Sequence, residues 1–189
     1  MKAFWVVIVL VGLLLWFWFH QKRNGHAGGN SGEKGMSVYL GLRNLALQNP
    51  PPAGVLSVIK PGKPFVVLMD WPVSSQATAT VAAFADGTAS IYLSNGGGFL
   101  GGGQAHESIR NSAVNTLEIA DELKSFMHPT TTFPLPARGE VIFYVRTDSA
   151  VLTATAKEDD LRTHSNPLYR LGDSAQAIVT DYRLEQQEK

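Results

Sequence analysis

The stretch Ile91-Tyr-Leu-Ser-Asn95-Gly-Gly-Gly-Phe-Leu-Gly-Gly-Gly-Gln104, with the amphipathic run that follows it to Met127, decides the fold. It reads as a strand, a loop holding two glycine triplets, and a helix. Six glycines in eight positions at such a junction point to backbone that takes positive φ or approaches another group closely. In the run beyond, Ile109, Ala113, Leu117, Ala120, Leu123 and Met127 recur at helical spacing as one buried stripe, and His128-Pro129 stops it.

Upstream, Phe65 to Trp71 is a β-branched and aromatic strand halted by Pro72, with Asp70 read as an ordinary strand-end residue. Gln76 to Ala85 and Ala89 to Ser94 form a hairpin across Asp86-Gly87. Downstream, a Pro-rich crossover over 130–139 leads to a second hairpin, Val141 to Thr147 and Val151 to Ala156. An acidic turn at Glu158-Asp159-Asp160 precedes a last helix from Pro167 to Glu185. Before all of these, Ser37 to Gln48 is a helical candidate of mixed periodicity ended by Asn49-Pro-Pro-Pro52, and Val55 to Ile59 leans toward a strand.

Helix, three strands, helix, two strands, helix is an α+β order. The expectation is a two-layer domain over 37–189, its sheet five-stranded and mainly antiparallel, with at least one face covered by the Ile109 and Leu171 helices. The architecture resembles the small profilin, roadblock and longin sheets in general style, although those folds divide their strands differently around the helix. The run Ala85-Asp-Gly-Thr-Ala-Ser-Ile-Tyr-Leu-Ser-Asn-Gly-Gly-Gly98, the second glycine triplet and Phe133-Pro-Leu-Pro136 resemble uncharacterised bacterial proteins over residues 36–182. That resemblance implies no activity.

The N-terminus is of another kind. Ala3 to Phe19 contains no charge, and as a helix would be about 25 Å long, close to a hydrocarbon core. Trp16, Trp18 and His20 suit an interface. Gly25-His26-Ala27 offers a signal-peptidase site, but the long tryptophan-rich run followed by Lys22-Arg23 favours an uncleaved anchor over 3–20. The glycine-rich segment 21–36 reads as a tether. Lys22, Arg23 and Lys34 outnumber Lys2 and the α-amine, so the positive-inside rule places the domain in the cytoplasm. The expected location is the inner membrane, with the bilayer bound through 3–19.

The chain carries 16 basic and 16 acidic residues. Lys2, Lys22, Arg23 and Lys34 precede Met36 together with the single acid Glu33, which leaves the domain at a formal charge of about −3. Such a balance gives no reason to expect nucleic acid. The absence of cysteine excludes disulfides and thiolate chemistry.

Gly96, Gly98 and Gly101 match G-x-G-x-x-G, yet antiparallel hairpins precede the loop and no βαβ unit follows it, so no dinucleotide cofactor is implied. A generic anion site would use Gly96, Gly97, Gly98, Gly101, Gly102, Gly103 and Gln104, with His106 and Arg110 in the first helical turns. The competing reading is that the glycines let the loop pack closely against another element. The five histidines lack metal spacing, and no nucleophile–base pair can be named, so no catalytic residue is expected. The leading expectation is a non-catalytic interaction domain for a protein partner or a second copy. The alternative is small anionic ligand or nucleotide binding at Gly96–Gly103.

Overall fold

A computed structural model describes residues 31–51 and 59–187. The apolar segment 3–19, most of the tether and positions 55–58 of the expected Val55–Ile59 strand lie outside the described residues. Among those described, no helix is long and apolar enough to cross a membrane.

The domain is α+β, as expected, but its sheet has seven strands rather than five. Helix α1 (Ser31–Gln48) is followed by β1 (Val66–Ser74), β2 (Ala77–Phe84), β3 (Ala89–Leu93) and β4 (Gly98–Phe99). A 3-10 turn (Gly102–Gln104) then enters helix α2 (Glu107–Leu123), and a second 3-10 turn (Lys124–Phe126) leaves it for β5 (His128–Pro129). Strands β6 (Glu140–Arg146) and β7 (Val151–Lys157) precede the short helix α3 (Glu158–Arg162) and helix α4 (Tyr169–Gln187). The spatial order is β4-β3-β2-β1-β6-β7-β5, antiparallel throughout. The two extra strands are two-residue edges, one cut from the glycine loop and one from the helix stop. Strands that short have no periodicity to read. They also blunt both edges of the sheet against further pairing.

The pleat divides the central strands between two cores. Val67, Met69, Val81, Ala83, Phe143 and Val145 face α2 and α4, where Ile109, Ala113, Leu171 and Ile178 are fully buried. Val66, Leu68, Ala82, Ile142 and Tyr144 face the other way, against Tyr39, Ala46 and Leu47 of α1. Burial on both faces explains why β1 reads as a nearly unbroken apolar run. Helix α1 therefore makes a third layer. It also starts inside the segment expected to be a tether, because Gly35 is used to bring the helix against Asn95 and Gly96: a Cβ there would stand 3.0 Å from their backbone.

Two smaller expectations also change. Pro72 does not halt β1, which pairs with β2 as far as Ser74, past an irregularity after Pro72. The pairing of β1 with β6 ends at Asp70, so the missing N–H of Pro72 falls where no ladder bond is required. The acidic turn is the helix α3. In the first helix Val38, Leu40 and Leu45 are exposed, and the buried stripe is Tyr39, Arg43, Ala46 and Leu47.

Candidate functional site

The two glycine triplets do different jobs. In the first, Gly96 N–H donates to the Leu93 carbonyl and Leu93 N–H to the Gly97 carbonyl, which closes a hairpin turn between β3 and β4. In the second, Gly101 is left-handed at φ 68 and starts the 3-10 turn. Gly102 and Gly103 are points of close approach. A Cβ on Gly103 would lie 1.9 Å from the Gly87 carbonyl oxygen, and one on Gly102 would lie 2.4 Å from the Tyr182 hydroxyl. That hydroxyl accepts from Gly102 N–H at 2.7 Å and donates to the Ala89 carbonyl at 2.7 Å, and its ring stacks on Phe99. Helix α4 thus clamps the loop to β3.

The cations proposed for an anion are engaged within the chain. Arg110 donates from Nε to the Gly103 carbonyl at 2.9 Å and from Nη2 to the Gln104 carbonyl. His106, the N-cap of α2, holds Nδ1 2.6 Å from Glu185 Oε2, and Ser108 donates to the other oxygen of Glu185. The first turn of α2 therefore already faces a carboxylate from α4. Gln104 is exposed, Gly96 is half-buried, Gly97 is exposed, and Gly98 pairs with Tyr92 at φ 139, where a Cβ would lie 2.1 Å from the Ile91 carbonyl oxygen. Of the nine positions named from the sequence, Gly96, Gly97 and Gly98 build the β3–β4 hairpin, and the others gather beside Tyr182, Arg110 and Glu185 as packing elements.

The polar centre that the sequence reading missed lies on the other face of the sheet. Asp70 is fully buried, not a strand-end turn residue. Its Oδ2 accepts from Arg43 Nε at 2.8 Å and Nη2 at 2.6 Å, and its Oδ1 accepts from the Thr80 hydroxyl. Thr80 Oγ1 is in turn 2.9 Å from the Tyr39 hydroxyl. Arg43 also donates to the carbonyls of Phe133 and Pro134, and Tyr144 donates to Pro134. Burial pushes the Asp70 carboxyl above the usual carboxylate range, against the pull of Arg43 and Thr80. Burial and the neighbouring Asp70 charge likewise push the Tyr39 phenol up, despite its bond to Thr80. Every polar atom here has a partner, so the network fixes α1 and the 130–136 crossover on the sheet and leaves no group free for chemistry. A sequence signal was available: Tyr39, Arg43 and Leu47 share one helical stripe.

Among the described residues, no three histidine, aspartate or glutamate side chains converge as metal ligands. A solvent-open hollow of about 640 Å³ runs beside α1, lined by Glu33, Met36, Ser37, Leu40 and Gly41 and by no residue of the glycine loop. No protein-family model matches the chain, and neither the curated proteins nor the solved structures give a significant match.

Proposed function

We propose that this chain is a single-pass membrane protein of the inner membrane, presenting a non-catalytic α+β domain on the cytoplasmic side to a protein partner. The observation that carries this reading is the outer surface of α1. Val38 and Leu45 are 55% and 52% exposed, on a helix held rigidly from its inner side by the Arg43–Asp70 pair. Apolar side chains left in water on a fixed helix suit a protein contact. Only eleven residues separate Phe19 from Ser31, so the bilayer segment and α1 are no more than about 40 Å of chain apart.

The anionic-ligand alternative is weakened because Arg110 and His106 already have partners, and Glu185 faces the first turn of α2. Sodium carbonate extraction and proteolysis of spheroplasts test the reading. The full chain is expected to stay with membranes, since burial of apolar area is not screened by salt. The domain is expected to be digested only after lysis. Release by carbonate, or a mature N-terminus near Gly28, overturns the anchor; digestion in intact spheroplasts reverses the orientation.

A further inference from the structure

The two faces of the sheet are held in different ways. Helices α2 and α4 bury six and seven residues, and with the sheet they close a continuous apolar core. On the opposite face α1 buries four, Tyr39, Arg43, Ala46 and Leu47, and one of these is a charge. Met36 and Leu42 add partial apolar cover. Much of what else holds α1 is polar. Arg43 reaches Asp70 and the Phe133 and Pro134 carbonyls, and its guanidinium lies over the Tyr144 ring at 5.1 Å. The Tyr39 hydroxyl meets Thr80. Arg146 of β6 donates to the Ala46 and Asn49 carbonyls at 2.7 and 2.8 Å, which closes the C-terminal end of the helix.

Such a contact costs less to open than its burial suggests. Charges sealed in an interface have lost their water, and separation returns it, so an intact buried pair adds little net stability. An apolar interface recovers nothing of that kind on opening. Three glycines, Gly32, Gly35 and Gly41, weaken α1 as a helix on its own, so the released segment also gains chain entropy. We propose that α1 is a strap latched by Arg43, which opens as a unit while the sheet, α2 and α4 stay folded. The closed form is the ground state. The open form exposes Asp70 and Thr80 within an apolar face made by Val66, Leu68, Ala82, Ile142 and Tyr144. Helix α1 precedes β1 in the chain, so a pull on the residues ahead of Ser31 is passed along the chain to the latch before the sheet.

The chain has no cysteine, and each core offers a fully buried alanine, Ala82 on the α1 side and Ala113 on the α2 side. Full-length Ala82→Cys and Ala113→Cys would be labelled with iodoacetamide under native conditions in which closing outruns labelling. Each rate is taken relative to the same variant in urea. Position 82 is expected to react at least tenfold faster than 113. Ile178→Val loosens only the α4 side. It is expected to speed 113 several-fold and to leave 82 unchanged, because 82 reacts through strap opening and not through global unfolding. Arg43→Met is expected to speed 82 at least tenfold, whereas a strap held by apolar packing alone would not respond. Ala46→Cys and Ala120→Cys supply a second pair if either of the first fails to fold. A rate at 82 no faster than at 113, equal acceleration of both by Ile178→Val, or no response to Arg43→Met would each overturn the proposal.

Discussion

Arg43 and Asp70, 27 positions apart, make one ion pair with 2% and 0% of their side chains exposed, Nη2 standing 2.6 Å from Oδ2. Breaking such a pair leaves a buried charge alone. Asp70→Leu or Arg43→Met is therefore expected to cost about 3–5 kcal/mol, whereas the double variant Arg43→Met/Asp70→Leu recovers most of that loss. Urea unfolding of the four proteins measures the coupling. Additive single effects would show that the pair is not a unit.

The glycines of the second triplet should not behave alike. Gly101→Ala strains only a left-handed residue in open space and is expected to cost about 1–2 kcal/mol. Gly103→Ala drives a Cβ into the Gly87 carbonyl, which is backbone and cannot swing aside, so about 3 kcal/mol or more is expected. Tyr182→Phe leaves the Gly102 N–H and the Ala89 carbonyl unpaired, at about 1–3 kcal/mol. Equal costs at 101 and 103 in urea unfolding would remove the close-packing account of the loop.

The hairpins β2–β3 and β6–β7 and the stripes of α2 and α4 were legible because their periodicity survives in the side chains. The third layer was not. Arg43 sits in the buried stripe of α1 and Asp70 in the apolar run of β1, so each charge broke the pattern of its own element. Their compatibility with burial exists only in the pair, which is 27 residues long-range and invisible to a local window. The glycine loop was legible as a place of close approach. Which element approaches was not, since Tyr182 lies 80 residues from Gly102.

Acid should loosen the contact between the loop after Lys60 and α2. Lys63 Nζ donates to Asp121 Oδ2 at 2.6 Å, and Lys124 Nζ stands 2.6 Å from Oδ1. Partial burial opposes ionisation of Asp121, but the two lysines outweigh it and hold the carboxyl below its usual range. A depressed folded value means that the stabilisation is present above the unfolded value of about 3.9 and is lost as pH falls through the folded one. The group remains partly in solvent, so the gain is under about 1 kcal/mol and shrinks with salt. Asp121→Asn is expected to lower stability slightly at neutral pH and to converge with the parent protein below pH 3. Parallel pH profiles would contradict this.

The start of α2 should not respond to added anions. Its first turn is faced by Glu185, held by His106 Nδ1 at 2.6 Å and by Ser108 at 2.9 Å, and Arg110 turns two of its donors, Nε and Nη2, to loop carbonyls. A phosphate would have to displace a carboxylate tethered at far higher effective concentration. A site of millimolar affinity would stabilise the fold by about 1.4 kcal/mol at tenfold excess, enough to see as a shift in melting temperature. Inorganic phosphate, nucleotides and small carboxylates are each expected to leave it unchanged beyond the effect of matched salt. Glu185→Gln is expected to cost under about 1 kcal/mol, because the pair is partly open to water. A shift with one nucleotide but not with matched salt, lost on Arg110→Ala, would restore the loop as a ligand site and displace the packing account.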